Sequence, residues 1–211
     1  MTERFKTLSE PSGFEPPSIK GSRFIARLSP ASDESAARAF IQGVALEFDD
    51  ARHVCYAWRI GPDGRQTRAY DAGEPGNSAG RPILAQLEGH EVTDVVAVVV
   101  RYFGGTKLGV GGLMRAYGGA AGQALDRAKI VEVEVREALE CRHDYRASGA
   151  VQAALAAFQL TPEGAAYDAS VRFIVHVPRG SRAAFESAFR DATHGEGTLC
   201  DPRAEPPVTS E

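Results

Sequence analysis

Two loops hold the residues of this chain that could do chemistry. The first, DAGEPGNSAGRP (71–82), places Asp71 and Glu74 in one loop with the Ser78 hydroxyl nearby. Paired carboxylates can carry out acid–base catalysis or hold a cation. In a loop rich in glycine and proline, however, Asp, Asn and Ser also cap their own backbone. This loop contains no histidine, and no HExxH occurs in the chain. The second loop, RYFGGTKLGVGGLMRAYGGAAG (101–122), is rich in glycine, and its only charges are Arg101, Lys107 and Arg115. Between a strand and a helix, such a loop offers backbone amides and a helix N-terminus to an anion. A Walker A site is excluded, because Gly104–Gly109 is followed by Val110 and Gly111 rather than by Lys and Ser or Thr. The dinucleotide pattern GxGxxG, started at Gly109, fails at Met114. An oligonucleotide-phosphate site, a partner surface, and glycines that serve only turns and close packing all stay open.

The other reactive side chains add little. Cys55, Cys141 and Cys200 are widely separated and show no C-x-x-C spacing, so zinc ribbons and thioredoxin-like chemistry have no support. None of the five histidines is paired at ligand spacing. Neither a metal nor a cofactor is expected. The formal net charge of −4 gives no global attraction to nucleic acid. The segment 95–125 nevertheless holds three basic residues and no acidic one, a local positive site on a mildly acidic chain.

The elements that must position these loops follow from periodicity. SRFIARL (22–28) reads as a strand and SDESAARAFIQGVALEF as a helix. Ser32 or Asp33 would cap that helix, and Ala37, Phe40, Ile41, Val44 and Leu46 would form its apolar stripe. HVCYAWRI and QTRAYDA form a hairpin around GPDGR, and a short helix follows through Ile83, Leu84 and Leu87. The run Val95–Val100 reads as a strand buried on both faces. The glycine loop follows it, and then a helix through LMRAYGGAAGQALDRA. Gly118, Gly119 and Gly122 each cost that helix roughly 1 kcal/mol relative to Ala, which suits close packing of another backbone.

KIVEVEVR alternates, with Val131, Val133 and Val135 on one face. A reset pattern then puts Leu139, Cys141, His143 and Tyr145 together. A helix through Val151 and Leu155, a weak strand near Leu160, the strand SVRFIVHV, a helix through Phe185 and Phe189, and a last strand near 198–200 complete a βαββαβ order. The fold class is therefore α+β with two domains: 1–136, and a ferredoxin-like 137–203. The polar, proline-rich 204–211 is expected to be a disordered tail. No apolar run approaches the roughly 20 residues that span a bilayer. The start, MTERFKTLSEPSGFEPP, lacks a signal-peptide core. No membrane association and a cytoplasmic location are expected.

Four blocks, IKGSRFIA (19–26), DARHVCYAW (50–58), DAGEPGNSAGRPILAQL (71–87) and VVAVVVRYFGGTKLGVGGLMRAYGGAA (95–121), together resemble the YigZ/IMPACT family. Arg101, Tyr102, Gly104, Gly105, Gly109, Gly112 and Tyr117 match one of its motifs. Gly73, Glu74, Pro75, Ala79, Gly80 and Pro82 match the other. The resemblance implies an N-terminal βαβ-type domain like the second domain of a small-subunit ribosomal protein. It also implies a ferredoxin-like domain like the last one of elongation factor G, and a link to translation or RNA. Ala72 stands where the family often has an acidic residue, which weakens any scheme that needs a carboxylate pair in this loop. Ser78 replaces a common threonine and keeps the hydroxyl.

The expected function is a non-enzymatic, translation- or RNA-associated regulatory binding protein, whose partner is RNA, the ribosome or a translation-associated protein. Arg101, Lys107 and Arg115 would meet phosphates or carboxylates, and Tyr102, Phe103 and Tyr117 would be available for stacking. The alternative is a hydrolase, with Glu74 as base and the amides around Gly104 and Gly105 as anion holders. A purely structural role for both loops is a third option.

Overall fold

The computed structural model describes residues 2–202; the expected tail from residue 204 lies outside them. The chain divides after Val133 into two compact units. The first begins with strands β1 (Arg4–Leu8), β2 (Ser12–Phe14) and β3 (Arg23–Pro30), then helix α1 (Glu34–Glu47). The hairpin β4 (His53–Ile60) and β5 (Gln66–Tyr70) follows, then α2 (Gly80–Gly89), β6 (Val95–Tyr102), α3 (Val110–Leu125) and β7 (Ile130–Glu134).

Five strands form one sheet in the order β2-β3-β6-β4-β5, with every pairing antiparallel. Both β3 and β4 flank β6, so β3–α1–β4 is a split βαβ unit with β6 inserted at its centre. Alternation along β6 explains why its apolar run is unbroken. Val95, Ala97 and Val99 pack with α2 and α3, while Val96, Val98 and Val100 pack on the side of α1. Each buried valine contributes roughly 1.5–3 kcal/mol relative to exposure. Asp33 caps α1 by accepting from the Ala36 amide at 2.8 Å. Of the expected stripe on α1, Ala37 and Val44 are buried, but Leu46 is 72% exposed.

Helices α2 and α3 lie side by side through small residues. A Cβ on Gly118 would sit 3.6 Å from Pro82, and one on Gly122 only 2.5 Å from Gln86 Oε1, whereas Gly119 meets nothing within 4 Å. Of the three helical glycines, only Gly122 is tightly packed, against the Gln86 side chain; Gly118 has ordinary contact distance and Gly119 is open. A tighter approach occurs before α3. A Cβ on Gly104 would lie 1.9 Å from the Gly21 carbonyl carbon and 2.2 Å from the Ser22 nitrogen. No side chain fits where these two backbones cross.

The second unit contains β8 (Arg136–His143), α4 (Ser148–Ala157), β9 (Glu163–Tyr167), β10 (Val171–Pro178), α5 (Arg182–Ala192) and β11 (Thr198–Cys200). Its antiparallel sheet has the order β11-β8-β10-β9, the ferredoxin-like arrangement. Its core joins Leu139, Cys141, Phe173 and Val175 to Val151 and Leu155 of α4 and to Phe185 and Phe189 of α5. Two expectations shift here. The weak strand near Leu160 starts only at Glu163, because Leu160 closes the turn after α4 by donating to the Leu155 carbonyl. Tyr145 leaves β8 for a 3₁₀ turn, where it is 48% exposed and its hydroxyl donates to the Asp168 carbonyl.

The glycine assignments predict opposite signs for two substitutions. Gly104→Ala lowers stability by more than about 1 kcal/mol, and Gly119→Ala raises it by about 1 kcal/mol. Urea unfolding followed by the fluorescence of Trp58, the sole tryptophan, reads both. Equal effects of the two would contradict the packing account.

Candidate functional site

The two sequence motifs converge inside the first unit. Strand parity places Arg101, the penultimate residue of β6, on the same face as Ala97 and Val99, pointing toward α3. There its Nη1 donates to Glu74 Oε1 at 2.6 Å, and the two side chains are only 7% and 4% exposed. Tyr117 lies on the buried stripe of α3 with Leu113, Ala120 and Ala121, and its hydroxyl donates to the same carboxylate oxygen at 2.7 Å. The guanidinium lies near two rings, with Cζ 5.7 Å from the Phe24 centroid and 5.5 Å from that of Phe103. Phe24 meets Tyr117 edge to face. Glu74 on the loop before α2 is thus tied to β6 and α3 at once. Removing one partner of such a buried pair costs about 3–5 kcal/mol, because the other charge is left uncompensated.

The rest of the first loop is occupied with its own backbone. Asp71 Oδ1 accepts from the Ala79 and Gly80 amides at 2.9 and 2.8 Å, and Oδ2 accepts from Asn77 at 2.8 Å. The Ala79 and Gly80 amides are the first of α2, otherwise without a side-chain cap, and that of Asn77 belongs to the loop. The Cys55 thiol donates to the Asp71 carbonyl, and His53 Nδ1 lies 3.0 Å from the Ala72 carbonyl. Burial pushes the Cys55 thiol up to about 12 and the Tyr117 hydroxyl well above its ordinary value. Neither group supplies an anionic nucleophile near neutral pH. Gly80 is fixed by its neighbour, since a Cβ there would lie 2.4 Å from the Tyr70 nitrogen. Gly73 and Pro75 remain exposed.

The second loop divides into buried and open parts. Gly104 donates to the Ser22 hydroxyl at 3.1 Å, and Gly105 and Gly109 take positive φ. Gly112 packs on Leu108. Tyr102 donates to Asp50 at 2.5 Å and lies half-buried beneath Arg23. Phe103, Val110 and Met114 are 57%, 52% and 44% exposed, and Lys107 and Arg115 are open to solvent beside them. Arg115 and Met114 also line an open groove of about 470 Å³ between α2 and α3, with Arg81 on its far side.

Residues 20–125 match the Impact N-terminal domain, and residues 141–196 match a domain of unknown function, DUF1949. The chain belongs to the IMPACT family. It is 38% identical to the IMPACT family member YigZ of Escherichia coli over 84% of this chain and 88% of that one. It is 41% identical to an IMPACT family member of Thermus thermophilus over 84% and 96%. A crystal structure described as that of a hypothetical protein superposes with a TM-score of 0.76 at 35% identity, covering 97% of this chain and all of that one.

Several site expectations change in this geometry. Arg101 and Tyr117 do not face a partner: the guanidinium is held by an internal carboxylate, and Tyr117 is fully buried. Glu74 has no access to water or substrate as a general base, and the Gly104 amide is already bonded to Ser22. The hydrolase alternative is thereby left without Glu74 as an accessible base and without the Gly104 amide as an anion holder. The loop also spells GxSxG at 76–80, a nucleophile-elbow pattern that sequence reasoning missed. Ser78 is nevertheless fully buried, and no base bonds its Oγ. Sequence reasoning also missed Ser22 and Arg81, although IKGSRFIA and the residues flanking Pro82 lie in the matching blocks. Among the described residues no group of three or more His, Cys, Asp or Glu could hold a metal, and no helix is long and apolar enough to cross a membrane.

Tyr117 and Ser78 give a paired prediction. Tyr117→Phe removes a donor from a buried carboxylate and costs about 1–3 kcal/mol, whereas Ser78→Ala removes an unpartnered hydroxyl and is neutral or stabilising. Thermal unfolding measures both. A large loss in Ser78→Ala would reveal a role for that hydroxyl that its surroundings do not account for.

Proposed function

We propose that the protein is a non-enzymatic binding protein that associates with RNA or the ribosome. The observation that supports this reading is the exposed segment from Phe103 to Arg115, which presents Phe103, Val110 and Met114 beside Lys107 and Arg115 and contains no acidic residue. Neither cation makes an ion pair among the described residues, so both are available to phosphates. Arg81 across the groove adds a third. Exposed apolar side chains interleaved with cations suit a nucleic-acid surface, on which rings stack and cations neutralise the backbone. The buried Glu74–Arg101 pair holds this segment rigid rather than taking part in binding.

Co-sedimentation of the full chain with ribosomes across a salt series tests the reading. With three cations engaged on single-stranded RNA, log K falls against log salt with a slope of about −2. Lys107→Ala/Arg115→Ala, both at exposed positions, weakens the association and flattens the slope to about −0.7. Wild-type protein that stays at the top of the gradient even at low salt would remove the reading.

A further inference from the structure

We propose that the end of the N-terminal sheet, where β4 begins and β6 ends, is a ribonucleotide-binding cavity. The ligand class rests on the RNA-associated reading above. The cavity has a volume of about 410 Å³ and is lined by Asp50, Arg52, His53, Arg101, Tyr102 and Phe103. That size falls within the roughly 300–1,000 Å³ of small-ligand sites. The antiparallel register, which sets His53 opposite Arg101, brings these side chains together from two strand ends.

Four of the lining groups, Phe103, Arg52, His53 and Asp50, each offer a different part of a ribonucleotide its partner. Phe103 is 57% exposed, and the Arg101 guanidinium lies 5.5 Å from its centroid, so the cation covers at most one face of the ring. The remaining face is a platform for an unstacked base. Arg52 is exposed and makes no ion pair among the described residues, which leaves its charge for a phosphate. His53 spends Nδ1 on the Ala72 carbonyl at 3.0 Å. A carbonyl only accepts, so the proton is on Nδ1 and Nε2 is the free acceptor of the neutral ring. A ribose hydroxyl is a donor for that nitrogen, and the 2′-hydroxyl is the group that separates RNA from DNA. Asp50 uses Oδ1 for Tyr102 and keeps a second oxygen able to accept from an exocyclic amine.

Calorimetric titration of the full chain with AMP, dAMP and 5′-phosphorylated hexaadenylate tests the cavity. AMP binds wild type more tightly than dAMP. Phe103→Ala, a change at an exposed side chain, weakens binding about fivefold or more. Arg52→Ala weakens it and reduces the salt slope of hexamer binding by about 0.7, and His53→Ala erases the preference for AMP over dAMP. Binding of AMP alone identifies a free nucleotide as the ligand. Binding of the hexamer, displaced by AMP, identifies an unstacked residue of RNA; either sustains the cavity. No binding of AMP or hexamer to wild type, or equal binding by wild type and Phe103→Ala, overturns it. AMP binding in a protein that ignores ribosomes would sink the ribosome reading alone. Ribosome association without nucleotide binding would sink the cavity alone.

Discussion

Glu74 and Arg101 meet between a loop and a strand that are 27 residues apart in sequence, and nearly every special feature of the N-terminal unit serves that meeting. The carboxylate must be brought inward, which requires the loop before α2 to turn on itself. Asp71 achieves this by gathering the first amides of α2. The guanidinium must be shielded, and the Phe24 and Phe103 rings both lie within cation–π distance of it. Tyr117 then supplies the carboxylate with a second donor from α3. A buried ion pair of this kind adds little net stability compared with apolar packing, but it permits only one arrangement of the three segments it joins.

This division of labour separates the two halves of the glycine-rich segment. Its first residues are anchored where the Gly104 backbone crosses Gly21 and Ser22. From there to Arg115 the chain turns outward, and none of the side chains it presents is acidic. A rigid base beneath an exposed loop limits the entropy lost when a partner binds. The motif that resembles a chemical site in sequence is therefore a fastening on one side and a surface on the other. Phe103 stands at the junction, in contact with the buried cation and exposed to solvent.

Much of this was legible in the sequence, and the exceptions have physical causes. The β6 run, the capped helix α1 and the alternation of β8 and β10 follow from periodicity, because each element buries apolar side chains at its own spacing. Strands β1 and β2 escaped because RFKTL and SGF are short and largely polar, and their pairing is set by partners distant in sequence. The direction of Arg101 was available and unused: period two puts it with Val99 and Ala97, facing the interior. Charge type outweighed parity in the reading of that residue. The partner of a buried arginine lies beyond periodicity altogether, since only the fold brings Glu74 within reach.

The measurement that tests the fastening most directly is a double-mutant cycle on Glu74→Leu and Arg101→Met, with Trp58 fluorescence reporting urea unfolding of the unit that contains it. The account predicts that each single substitution costs about 3–5 kcal/mol, while the double variant regains much of that loss, for a coupling of at least about 2 kcal/mol. Single costs that simply add, with coupling below about 0.5 kcal/mol, would show that the two residues stabilise the fold independently and that the pair does not hold the motifs together.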